Sequence, residues 1–191
     1  MQSLFKVSYK LASFVLTLLM LSSQTVQAQG TTNAYSFSFV DIDGKEINLS
    51  DFEGKVVMIV NTASQCKFTP QYAQLEELYE RFGEQGLVII AVPSNDFGQQ
   101  EPGSNQQIKD FVDKKYQVTF LVADKVHVKG EYAHPFYKWA ETQVTYLGTP
   151  MWNFHKYIVD KKGNLQYWFT STTEPTSTDV VKAIQTLLNS K

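Results

Sequence analysis

Two runs of consecutive apolar residues, 56–60 (Val-Val-Met-Ile-Val) and 87–92 (Leu-Val-Ile-Ile-Ala-Val), set the frame of the chain. Unbroken β-branched runs of that length predict strands covered on both faces, the habit of parallel strands. Between them Tyr72, Leu75, Leu78, Tyr79 and Phe82 recur at steps of three and four, which predicts an amphipathic helix with Thr69 as its cap, Pro70 in its first turn and Gly86 at its close. A loop rich in Gly, Pro and Asn follows over 93–104, then a helix carrying Ile108, Phe111 and Val112, a short strand at 118–122 and a helix at 132–141. The tail reads as a strand at 154–159, a turn at 160–163, a strand at 165–170 and a helix with Val180, Val181, Ile184, Leu187 and Leu188 on one face. Ahead of the first run, 35–40 alternates with period two and Asp41-Ile42-Asp43-Gly44 supplies a turn, so a hairpin appended to the main sheet is expected.

Parallel strands need a right-handed crossover, and the closing hairpin adds antiparallel ones. The expected fold is therefore α/β: a mixed central sheet flanked by helices, with an extra N-terminal β-hairpin, in a thioredoxin-like architecture.

The amino terminus changes this picture. Lys6 and Lys10 precede an apolar stretch at 11–21, a polar segment and Val26-Gln27-Ala28. This is the layout of a secretory signal peptide over 1–28, its apolar run well short of the roughly 20 residues a membrane-spanning helix needs. An uncleaved anchor is the alternative. The mature chain is expected to begin near Gln29, with a disordered polar stretch at 29–34 and one domain at 35–191. Export to the periplasm is expected if the source is bacterial, and secretion otherwise. Removing 1–28 leaves 15 basic against 19 acidic groups, which argues against a nucleic-acid partner.

The chain has one cysteine, Cys66, so no disulfide can form within it even in an oxidising compartment. By count alone a lone cysteine is more often a buried, inert one. Its position reverses that preference: Cys66 falls between the end of a buried strand and the start of a helix, where backbone N–H groups, together with the neighbouring Lys67, favour the thiolate. His127, His134 and His155 lack metal-ligand spacing, and no metal is expected. Glu76-Glu77 reads as a solvated helix face and Lys161-Lys162 as part of a hairpin turn.

Residues 60–72 (VNTASQCKFTPQY) resemble the active-site segment of glutathione peroxidases. Residues 93–103 (PSNDFGQQEPG) and 152–156 (WNFHK) resemble the second and third signatures of that family, and the likeness runs from about Tyr35 to the carboxyl end. The resemblance implies a thiol peroxidase with Cys66 as peroxidatic cysteine and Gln100, Trp152 and Asn153 as its polar surround. Taken singly, Trp152 reads as a core residue and Gln100 or Asn153 as a turn or helix-start residue. It further implies hydroperoxide and thiol co-substrates, no prosthetic cofactor and a sulfenic acid at Cys66.

Several departures stand out. Val126 and Ser94 occupy positions where many members carry further cysteines, so an outside thiol must reduce Cys66; glutathione is preferred over a thioredoxin-like protein. Lys67 replaces the usual Gly, Asp96 the usual Gln, and Trp168 a frequent Arg. The segment 143–151 is short where tetrameric members carry an assembly loop, so a monomer is expected. A non-catalytic thioredoxin-like binding module is the competing reading.

Overall fold

The computed structural model describes residues 32–190. The segment assigned to the signal peptide, and 29–31 after it, lie outside the described residues.

Strands β1 (Ser38–Val40) and β2 (Glu46–Asn48) form the expected hairpin, a two-stranded antiparallel sheet of its own. The main sheet contains β3 (Val56–Thr62), β4 (Leu87–Pro93), β5 (Leu121–Val122), β6 (Lys156–Val159) and β7 (Leu165–Phe169), in the order β5-β4-β3-β6-β7. β3, β4 and β5 run parallel, while β6 pairs antiparallel with both β3 and β7. The helices are α1 (Gln71–Phe82), α2 (Asn105–Tyr116), α3 (Pro135–Gln143) and α4 (Thr178–Leu188).

The two apolar runs become the two central strands because each must bury both faces. Along β3, Val56, Met58 and Val60 pack with Leu75, Leu78, Val180 and Ile184 of α1 and α4. Val57 and Ile59 alternate to the other side and pack with Phe136, Tyr137 and Trp139 of α3 and with Phe39 and Ile47 of the hairpin. Each fully buried aliphatic side chain of this kind contributes roughly 1.5–3 kcal/mol, so a chain without disulfides is held by these two layers.

Several boundaries move for identifiable reasons. The helix expected from Thr69 begins at Gln71, with Pro70 as a cap that makes no side-chain bond, because the Thr69 hydroxyl is engaged in the Cys66 turn. Glu76, expected on a solvated face, is buried: it accepts the Thr119 N–H at 2.8 Å and bonds the Thr119 hydroxyl. With that N–H committed to α1, the strand expected at 118–122 shrinks to two residues. The third helix starts only at Pro135, where the His134 ring accepts the Phe136 N–H. At 154 the expected strand is interrupted by Phe154 at φ +65°, and β6 begins at Lys156.

The stretch 32–34, expected to be disordered, is docked. The Trp139 indole donates to the Thr32 carbonyl, Ala34 N–H to Gly163, and Asn33 caps a short 3-10 turn, Ala34–Ser36, while bonding the Lys162 carbonyl. Burial of Ala34 accompanies those bonds.

Candidate active site

Cys66 lies in the turn that joins the carboxyl end of β3 to α1, the edge at which open α/β sheets place their sites. The turn is tied internally by Thr69, whose hydroxyl oxygen accepts the Cys66 N–H at 3.0 Å and lies 2.8 Å from the Ala63 carbonyl, within donating reach. The Phe68 N–H points at the Cys66 sulfur, 3.4 Å from it. The helix expected to start beside Cys66 begins at Gln71, so the backbone N–H at the sulfur comes from the turn ahead of it. Cys66 is buried, with 7% of its surface exposed, and its neighbours Lys67 and Phe68 line the cleft beside it.

A second segment holds this turn from the side. Gln65 N–H donates to the Gln100 carbonyl at 3.0 Å, and both the N–H and hydroxyl of Ser64 donate to the Glu101 carboxylate at 2.9 and 3.0 Å. Glu101 is buried; desolvation pushes its carboxyl above the ordinary value, against the opposing bonds from Ser64. No sequence signal beyond its place in the second signature singled Glu101 out. It is short-range chemistry between segments 37 residues apart, which local pattern cannot register.

The third segment enters on β6. Asn61, at the end of β3, donates through its amide to the Trp152 carbonyl at 3.0 Å and accepts the His155 N–H at 3.1 Å. That clamp places the turn 152–154 beside the Cys66 turn. Asn153, fully buried, donates to the Gln100 side-chain oxygen at 3.0 Å and to the Phe97 carbonyl at 3.4 Å. With its oxygen accepting from Asn153, Gln100 keeps its amide N–H groups available for other partners. Trp152 is 37% exposed, against the core reading it receives in isolation, and its ring lies 6.0 Å from that of Phe97. Gly98, at φ +65°, passes close to both Trp152 and Gln100; a Cβ there would stand 3.4 Å from the indole and 3.5 Å from the Gln100 side chain.

Gln100, Trp152, Lys67 and Phe68 line one cleft of about 570 Å³, together with a stretch of wall formed by Thr170, Ser171 and Thr172. The four residues singled out by sequence are gathered by contacts of three kinds: the Cys66 turn to the Gln100 carbonyl and the Glu101 carboxylate, Gln100 to Asn153, and Trp152 to Asn61. At the Cys66 sulfur itself the hydrogen bond is that of Phe68.

The departures also acquire places. Val126 packs on the second core cluster and donates its N–H to the Pro93 carbonyl at 3.0 Å, and Ser94 is fully buried. Asp96 accepts the N–H groups of Val128 at 2.7 Å and Lys129 at 3.3 Å and pairs with His127 at 2.6 Å. Burial raises its carboxyl, but the bonds from His127 and the two backbone groups outweigh this and hold it below the usual range. Trp168 stacks on His155, rings 13° apart.

A mixed sheet with a single reactive-type cysteine after its first central strand defines the class, and comparison with known proteins agrees. The chain covers 97% of a thiol:disulfide interchange protein of the thioredoxin family from Chlorobium tepidum (16% identity, 83% of this chain, TM-score 0.63), a likeness that shows the thioredoxin-like fold. The glutathione peroxidase family profile matches residues 34–141. A hydroperoxy fatty acid reductase from Synechocystis sp. is 44% identical over 156 residues, 78% of this chain and 92% of the relative. The crystal structure of Trgpx in apo form superposes with a TM-score of 0.69 at 33% identity, over 84% of this chain and 98% of that one. The chain belongs to the glutathione peroxidase family; it is a peroxidase whose co-substrate is a thiol, without a prosthetic cofactor.

Proposed function

We propose that the protein reduces hydrogen peroxide and organic or lipid hydroperoxides through a sulfenic acid on Cys66, with glutathione as the reducing thiol. The observation that carries this reading is the Asn153–Gln100 bond, which occupies the Gln100 oxygen and leaves its amide N–H groups available on a residue that lines the cleft. In the first half-reaction the Cys66 thiolate attacks one peroxide oxygen, an S–O bond forms as the O–O bond breaks, and the departing oxygen takes up a proton to leave as water or alcohol. Negative charge grows on that oxygen, and the amide of Gln100 and the indole N–H of Trp152 are the donors on hand to stabilise it. Asn153 holds Gln100 in orientation.

In the second half-reaction one glutathione condenses with the sulfenic acid, releasing water and leaving a mixed disulfide, and a second glutathione displaces it to restore the thiol and form glutathione disulfide. The lone cysteine supports an external thiol over an internal disulfide. Lys67, exposed at the cleft, supports attraction of a small anionic thiol. The open cleft beside Cys66, with Met151 and Trp152 exposed next to it, supports access by bulky hydroperoxides, as does the name of the Synechocystis relative. Export of a monomer, directed by residues 1–28, completes the reading.

Mixing the purified protein with one equivalent of hydroperoxide and following intact mass and free thiol tests the first half. A gain of one oxygen with loss of the thiol is expected; an unmodified Cys66 overturns the enzyme mechanism. Adding glutathione or a thioredoxin separately to the oxidised protein then identifies the reductant, with thiol recovery by glutathione expected. Sedimentation reports the monomer, and the amino-terminal mass of protein recovered from cells reports cleavage near Gln29.

A further inference from the structure

Lys156 is fully buried within the sheet, with Val60 on β3 and Phe169 on β7 beside it in register. Its stem therefore runs over apolar surface, and its charge has to be met by whatever the tip can reach. The tip reaches carbonyls. Nζ donates to Phe154 at 2.7 Å, to Thr173 at 2.7 Å and, at the long limit, to Thr170 at 3.5 Å. Among the described residues no carboxylate lies within ion-pair distance of it.

An ammonium has three donors, and here three carbonyls take them. A buried charge compensated by dipoles alone is costly, and desolvation accordingly pulls this amine down to about 7. A neutral side chain of similar length would fill the same space without that cost; what the lysine adds is the set of carbonyls it ties together.

The carbonyls it holds belong to two segments that each contribute lining residues to the cleft. Phe154 closes the turn that carries Trp152 and Asn153. Thr170 and Thr173 bracket the segment whose residues Thr170, Ser171 and Thr172 line the cleft. A second and weaker tie acts on that wall from α1, where the Gln71 amide donates to the Ser171 carbonyl at 2.8 Å.

We propose that Lys156 is a positioning residue that fixes the Thr170–Thr172 wall relative to the Trp152 segment of the cleft, and so sets the enzyme's preference for bulky hydroperoxides over hydrogen peroxide. This rests on the peroxidase mechanism proposed above. A small peroxide needs only the thiolate and the donors around it. A bulky one must also lie along the wall, and an ordered wall spares it the entropy of arranging those contacts.

The test is the second-order rate of Cys66 oxidation, measured by stopped flow for hydrogen peroxide and for cumene hydroperoxide in wild type, Lys156→Met and Gln71→Leu. The ratio of the two rates within one protein cancels its active fraction and any change in the thiol itself, which general destabilisation would move. In Lys156→Met the cumene rate is expected to fall about tenfold relative to the hydrogen peroxide rate, the scale of one lost charge-assisted hydrogen bond. Gln71→Leu should shift the ratio the same way, by less. An unchanged ratio in Lys156→Met makes the lysine merely structural and overturns the proposal. If Lys156→Met does not fold, Gln71→Leu decides, and an unchanged ratio there overturns it equally. Failure of wild type to be oxidised by either peroxide is a separate outcome, which removes the peroxidase mechanism and this inference with it.

Discussion

Cys66 is held in its turn by groups other than its own side chain: the Phe68 N–H donates to the sulfur, and the Thr69 hydroxyl oxygen accepts the Cys66 N–H. Around it the amides form a relay, Asn153 to Gln100, in which the second member faces the cleft. A relay of that form makes a specific kinetic prediction. Replacing Gln100 with Ala should slow Cys66 oxidation by about 10²-fold, the usual cost of one oxyanion donor. Asn153→Ala should slow it through the same amide, so the double variant should be no slower than Gln100→Ala alone. Stopped-flow oxidation of the three variants checks this; additive losses would place Asn153 in direct contact with the reacting atoms instead.

At the scale of elements, two carboxylates hold loops together. Glu101 locks the Cys66 turn to the loop before α2. Glu101→Ala leaves the partly buried Ser64 N–H without its acceptor and should cost about 1–3 kcal/mol in denaturant unfolding. Glu101→Gln keeps an acceptor and should retain most of that stability. Because burial raises the Glu101 carboxyl, its folded form binds a proton more readily than the unfolded chain does, so its contribution favours folding at low pH and is lost as pH rises through the raised value. Asp96 carries the opposite sign: its carboxyl is held low, so its contribution is present above the ordinary aspartate value and is lost as pH falls through the folded one. Asp96→Ala should free the loop at 126–129, and hydrogen exchange at the Val128 and Lys129 amides, both of which it accepts, should accelerate.

Across the whole molecule, acid sensitivity should trace to a histidine remote from any metal or charge relay. His155, just ahead of β6, is buried with its Nε2 unpartnered, and desolvation, helped by the charge of Lys156, lowers it to about 4. The unfolded chain takes up that proton near the ordinary value of about 6.5. The neutral ring therefore contributes stability that is fully present above about pH 6.5 and is lost as pH falls toward 4, on the order of 3 kcal/mol. Urea midpoints at pH 7 and pH 4 should separate by more in wild type than in His155→Gln; equal separations would assign the acid loss to the carboxylates.

The order of elements was legible because it is a local property. A strand buried on both faces has to be apolar without a break, as 56–60 and 87–92 are, and an amphipathic helix has to repeat at three and four residues, as Tyr72 to Phe82 does. The four candidate site residues were singled out for another reason, that their identities in three separate segments resemble those of one family. Neither reading could supply what depends on residues distant in the chain. Glu76 looked solvated because its partner, Thr119, lies 43 positions away, and Thr69 looked like a helix cap because the competing carbonyl of Ala63 is brought to it only by the turn. Ordering of 32–34 likewise depends on Trp139 and Gly163. The sequence by itself determined the strands, the helices and the single thiol between them. Only the tertiary structure decided that β6 inserts antiparallel beside β3, which sets Asn153 against Gln100 and Lys156 against two segments that line the cleft, because sheet order is won by hydrogen bonds and burial summed over the assembled fold.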